Sequence, residues 1–203
     1  MRFILILLVG LISPVCTAHT LLILGDSLSA GYGMQQQQGW VHLLQQQLTK
    51  EQSPVTLINA SISGETTGGA LARLPALLKQ HQPDTVLVEL GGNDGLRGFS
   101  PDLINNNLSR IIELIQQHNA TAVLMQIRIP PNYGPRYLEK FSAIYPELAQ
   151  QHQITLWPFF MEQIATNPDL MLPDGIHPNV EAQPEITAIM AKLLQELLEG
   201  SQS

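Results

Sequence analysis

Five short apolar runs, separated by longer stretches with helical spacing, constrain the fold more than any other feature of this 203-residue chain. The runs lie near residues 21–24, 55–59, 85–90, 122–127 and 154–157. They are continuous rather than alternating, as in Leu21-Leu22-Ile23-Leu24, Thr85-Val86-Leu87-Val88 and Ala122-Val123-Leu124-Met125. A strand that is apolar on both faces must be covered on both faces, which is the condition of a parallel sheet held between helical layers. The intervening segments read as helices near 39–51, 66–80, 101–118, 135–152 and 179–199. In the last of these, Ile186, Ile189, Met190, Leu193, Leu194 and Leu197 recur at helical spacing and mark a core-facing stripe. Five successive β-then-α units predict an α/β fold with three layers, α/β/α, and a flavodoxin-like five-stranded parallel sheet.

Residues 1–18 stand outside that pattern. Arg2 supplies a positive start, Phe3 to Ile12 is an uncharged apolar run, Pro14 breaks it, and Cys16-Thr17-Ala18 offers small residues before His19. This is the pattern of a secretory signal cleaved near Ala18, and the apolar run is too short to span a bilayer. The expected organisation is a signal peptide over 1–18 and a single domain over 19–203, exported and periplasmic, without a stable membrane anchor. The only cysteine lies within the signal, so the exported domain must be held by its core rather than by disulfides. The formal net charge is −7 and no basic cluster occurs, which argues against nucleic acid as a partner. An acidic chain without apolar surface runs fits a monomer acting on a small molecule. No His/Cys/Asp grouping has metal-ligand spacing and no nucleotide fingerprint occurs, so neither a metal nor a cofactor is expected.

In an open parallel sheet the site lies beyond the carboxyl ends of the strands. After the first run comes Gly25-Asp26-Ser27-Leu28-Ser29. A strand that stops at glycine and delivers a serine at the next turn presents a nucleophile, although Asp26 and Ser27 also suit the capping of a helix. After the second comes Asn59-Ala60-Ser61-Ile62-Ser63-Gly64, whose glycine allows close backbone approach. The third is followed by Gly91-Gly92-Asn93-Asp94-Gly95, composed for a tight turn that could aim the Asn93 amide into the site. Glu89, just before it on a buried strand, requires a partner that the sequence does not name. The fourth runs into Ile127-Arg128-Ile129-Pro130-Pro131-Asn132-Tyr133, a stiff apolar wall. The last segment, Leu172-Pro173-Asp174-Gly175-Ile176-His177-Pro178, holds an Asp and a His three apart, a candidate acid–base pair.

Taken together, these blocks resemble the GDSL, or SGNH, hydrolase superfamily. Gly25-Asp26-Ser27-Leu28 matches the first motif, Gly64 the second, Gly91-Gly92-Asn93-Asp94 the third and Asp174-Gly175-Ile176-His177-Pro178 the last. The resemblance implies a catalytic triad of Ser27, His177 and Asp174 that works through an acyl-enzyme. It also implies an oxyanion hole formed by the backbone N–H groups of Ser27 and Gly64 and the side-chain amide of Asn93. The activity implied is hydrolysis of fatty-acyl esters and thioesters, including aryl esters, acyl-CoA and lysophospholipids. Leu96, Phe99, Ile129 and Tyr133, with Met161 and Leu172, are the apolar loop residues expected to hold the acyl chain. The same motifs serve carbohydrate O-deacetylases, which the scarcity of aromatic residues disfavours. A non-catalytic ligand-binding domain of the same shape is disfavoured by the presence of Ser27, Asp174 and His177 together.

Overall fold

The computed structural model describes residues 18–200, so the signal-like segment lies outside the described residues except for Ala18. Five parallel strands form one sheet: β1 (His19–Gly25), β2 (Val55–Asn59), β3 (Thr85–Glu89), β4 (Thr121–Met125) and β5 (Thr155–Trp157), in the order β2-β1-β3-β4-β5. The central strands are closed to solvent on both faces, as their continuous apolar runs require. Leu22, Ile23, Leu24, Val86, Leu87, Val88, Val123 and Leu124 are all fully buried. The expected three-layer, flavodoxin-like architecture is what the chain adopts.

The helices are α1 (Ser27–Ala30), α2 (Trp40–Lys50), α3 (Thr67–His81), α4 (Gly92–Leu96), α5 (Pro101–Gln117), α6 (Pro135–His152), α7 (Met161–Ile164) and α8 (Gln183–Gly200). Helix α2 packs on α8, while α5 packs on both α3 and α6. A polar clamp fastens the first of these pairs. The side-chain oxygen of buried Gln183 accepts from the Trp40 N–H at 3.0 Å, and the Trp40 ring lies 6.2 Å from that of Phe160.

Two boundaries differ from the sequence reading, each for a physical reason. Helix α8 begins at Gln183 rather than near 179. A start at 179 would place Pro184 inside the helix, where its missing N–H breaks a bond; at Gln183 it falls in the first turn, where no bond is due. The Asn179 side chain instead accepts from the Ala182 N–H at 3.2 Å and closes the preceding turn. The stretch Gly91–Gly95 is not a tight turn but leads into a one-turn helix, α4, entered through Gly91 at φ 108°. The Tyr145 hydroxyl donates to the Leu90 carbonyl at 3.1 Å and occupies the space a Gly91 Cβ would need. The buried Asp94 carboxylate accepts from the Thr67 N–H at 2.9 Å and the Thr67 hydroxyl at 2.6 Å, tying α4 to the start of α3.

The strand order reverses at β1. From β1 the chain moves outward to β2, then crosses to β3 on the opposite side. The carboxyl ends of β1 and β3 therefore diverge into a crevice, where such folds place their ligands.

Candidate active site

Ser27 opens α1 directly after β1. Asp26 is the N-cap, its carboxylate accepting from the Leu28 N–H at 3.1 Å, and Gly31 at φ 75° stops the turn after four residues. Both roles suggested for this stretch therefore coexist: Asp26 caps, and Ser27 is displayed at the rim. The segment between α7 and α8 returns to meet it. His177 Nε2 lies 2.9 Å from Ser27 Oγ, and His177 Nδ1 lies 2.8 Å from Asp174 Oδ2. Asp174 next to Nδ1 fixes the proton there, which leaves Nε2 as the acceptor of the serine proton.

Asp174 is itself pinned. Its Oδ1 accepts from the backbone N–H groups of Ile176 at 2.9 Å and His177 at 3.0 Å. Burial pushes the carboxyl up, but these two N–H groups and the His177 side chain outweigh it and lower the pKa to about 2. The carboxylate is therefore charged throughout the neutral range.

Beneath Ser27 lies a polar knot. The fully buried Glu89 carboxyl accepts from Ser29 Oγ at 2.8 Å and from the Asp26 N–H at 3.3 Å, which supplies the partners the sequence left unnamed. Burial, reinforced by the charge of Asp26, holds its pKa well above the usual carboxylate range. The Asn93 amide nitrogen donates to Asp26 Oδ2 at 3.1 Å, so α4 is keyed to the Asp26–Ser27 turn through one of the two amide N–H bonds. Gly25 is fitted to this packing: a Cβ there would lie 2.5 Å from Glu89 Oε2.

A cavity of about 420 Å³ extends from the serine. Ser27, His177, Asn93, Leu96, Ile127, Ile129, Met161 and Phe159 are among its walls, and the Arg128–Glu162 ion pair stands in its lining. Its size is that of a small-ligand site, and its surface is mainly apolar. Of the residues expected to contact an acyl chain, Leu96, Ile129 and Met161 line it. Phe99, Tyr133 and Leu172 are not among its lining residues. Tyr133 instead donates its hydroxyl to the Leu96 carbonyl at 2.8 Å, bracing the wall from behind. Phe99 is exposed, with its carbonyl accepting from the Tyr137 hydroxyl at 2.6 Å. Leu172 sits under Gly33.

Gly64 lies in an exposed turn at φ 78°, outside the cavity lining, with its carbonyl held by Arg97 Nη2 at 3.1 Å. Among the described residues, neither its N–H nor that of Ser27 donates to a protein acceptor. Sequence reasoning passed over Tyr32, whose ring centroid lies 4.2 Å from that of His177. The available signal was an aromatic residue between two glycines, Gly31 and Gly33, just past the nucleophile. Among the described residues no group of three or more His, Cys, Asp or Glu could hold a metal, and no helix is long and apolar enough to cross a membrane.

A flavodoxin-like sheet carrying a serine, a histidine and an aspartate in hydrogen-bonded series at its topological switch is an arrangement suited to ester hydrolysis. The chain belongs to the GDSL-like Lipase/Acylhydrolase family, whose sequence model matches residues 23–183. It is 58% identical over 181 residues to the thioesterase 1/protease 1/lysophospholipase L1 of Escherichia coli strain K12, covering 89% of this chain and 86% of the relative. It is 55% identical over 177 residues to an arylesterase of Vibrio mimicus, covering 87% of this chain and 88% of the relative. Among solved structures, the psychrotrophic esterase EstA from a Pseudoalteromonas species, inhibited by monoethylphosphonate, superposes with a TM-score of 0.88. It is 51% identical, and the match covers 89% of this chain and 99% of that one.

Proposed function

We propose that the protein cleaves fatty-acyl esters and thioesters, lysophospholipids among them, through a covalent acyl-enzyme on Ser27. Ser27 Oγ attacks the acyl carbonyl as its proton passes to His177 Nε2. The imidazolium returns that proton to the departing oxygen or sulfur, and a water molecule then repeats the sequence to free the acid. Asp174 stays ionised and stabilises the imidazolium through its Nδ1–H. The negative oxygen of each tetrahedral intermediate is met by the N–H groups of Ser27 and Gly64 and the second N–H of the Asn93 amide. Leu96, Ile129, Ile127 and Met161 take the acyl chain.

The observation that carries this reading is the 2.9 Å approach of Ser27 Oγ to a histidine held at 2.8 Å by a carboxylate, opening onto an apolar cavity. The names of the relatives support the substrate class, and the segment 1–18 supports export to the periplasm. The test is hydrolysis by the domain 19–203 of p-nitrophenyl esters with acyl chains of about two to sixteen carbons, followed by lysophospholipids and acyl-CoA, beside Ser27→Ala. A maximum at medium or long chains, lost in Ser27→Ala, is the expected result. Activity confined to the acetyl ester would replace the lipid substrate with an acetylated one. Activity surviving Ser27→Ala would overturn the mechanism.

A further inference from the structure

The exposed aromatic residue Tyr32 lies against His177, the proposed catalytic base. Tyr32 is 47% exposed, yet its ring centroid is 4.2 Å from that of His177, with 31° between the planes. Half-exposed tyrosines have no packing reason to take up one defined position against a single imidazole. The backbone imposes it here. The Tyr32 N–H donates to the Ser27 carbonyl at 3.2 Å, which ties it to the nucleophile turn. It is flanked by Gly31 at φ 75° and Gly33 at φ 78°, conformations that side-chain-bearing residues resist. A Cβ on Gly33 would also come within 3.1 Å of Leu172 Cδ1 on the histidine loop. The loop is thus built to carry one side chain to one place.

That place has an electrostatic consequence. The His177 ring is contacted by Ser27 at Nε2 and by Asp174 at Nδ1. The Tyr32 ring lies across its face, tilted by 31°. An aromatic face attracts a cation within about 6 Å, and more strongly where water is excluded. In the proposed mechanism the imidazole gains a positive charge as it takes the serine proton. An interaction that strengthens only then lowers the barrier without tightening substrate binding.

We propose that Tyr32 is a positioning residue for His177, its ring holding the imidazole toward Ser27 Oγ and stabilising the imidazolium that forms as the serine proton is transferred. This rests on the Ser27 mechanism proposed above. The tyrosine hydroxyl has no partner among the described residues, so the ring alone carries the effect.

The discriminating variants are Tyr32→Phe, which keeps the ring, and Tyr32→Leu, which keeps apolar bulk without a π face. Tyr32→Phe is expected to hold kcat within about twofold, and Tyr32→Leu to lower kcat about three- to tenfold with KM unchanged. Phosphonylation of Ser27 by ethyl p-nitrophenyl methylphosphonate, which requires the serine proton transfer and carries no long chain to bind, should rank the variants in the same order. Thermal melts establish that each variant is folded, which the exposure of the site favours, and Tyr32→Trp serves as a second ring-bearing variant. A Tyr32→Leu rate equal to that of the wild type, or a loss confined to KM, would reduce Tyr32 to a wall and overturn the proposal. A fall in Phe as deep as in Leu would assign the effect to the hydroxyl and overturn it equally. Ser27→Ala runs alongside, since activity that persists there would sink the underlying mechanism instead.

Discussion

Asn93→Ala separates two tasks of one amide, one seen in the structure and one proposed for the reaction. One N–H of Asn93 donates to Asp26 Oδ2 at 3.1 Å, a bond present whether or not substrate is bound. The other is assigned to the oxyanion, which exists only in the transition state. The first task concerns stability: a hydrogen bond to a buried carboxyl contributes roughly 1–3 kcal/mol. For a domain of this size that corresponds to a melting temperature about 3–10 °C lower. The second task concerns rate: one preorganised donor to an oxyanion is worth about 3–4 kcal/mol, or a fall in kcat of about 100- to 1,000-fold. Because a neutral ground-state carbonyl gains little from the donor, KM should change by less than about threefold. The assay is steady-state hydrolysis of a p-nitrophenyl ester well below the melting temperature of the variant, with the melt recorded in parallel. Asp26→Asn, which alters the static bond and leaves the amide, provides the comparison. A kcat loss under tenfold alongside the full loss of stability would show that Asn93 only braces Asp26, and the oxyanion assignment would fall.

Glu89→Gln tests the buried carboxyl. A carboxyl whose folded pKa is raised stabilises the fold fully below its ordinary value of 4.5, and that contribution erodes as pH rises toward the folded value. Urea unfolding should therefore find the stability of Glu89→Gln gaining on the wild type between about pH 5 and pH 8; a pH-independent difference would mean that Glu89 ionises in the folded protein. Gly91→Ala forces a side chain into φ 108° and against the Tyr145 hydroxyl, at a combined cost of about 2–5 kcal/mol. Part of that cost should disappear in a Tyr145→Phe background, and strict additivity of the two changes would refute the clash.

The layers and the sheet were legible in the chain because burial on both faces writes itself into every residue of a strand. Leu21 to Leu24 and Thr85 to Val88 could hardly be placed elsewhere. The residues of the candidate site were legible for a related reason. A parallel α/β chain returns every loop after a strand to the same edge, so Ser27, Asn93 and the Asp174–His177 pair were bound for one neighbourhood before any distance was known. What the chain could not disclose was mutual orientation within that neighbourhood. Phe99 and Tyr133 are apolar loop residues close in sequence to Leu96 and Ile129, yet only the latter two face the cavity. The side a loop residue faces depends on hydrogen bonds such as that from Tyr133 to the Leu96 carbonyl, formed across 37 residues. Glu89 reads as an error on a buried strand until Ser29 and Asp26 are seen to receive it, and Tyr32 reads as a surface residue until His177 folds back across 145 positions to meet its ring. Periodicity and motif spacing are local properties of the chain, and they determined the fold class and the chemistry. Contacts between distant loops depend on packing that no single segment encodes, and these decided which side chains surround the serine.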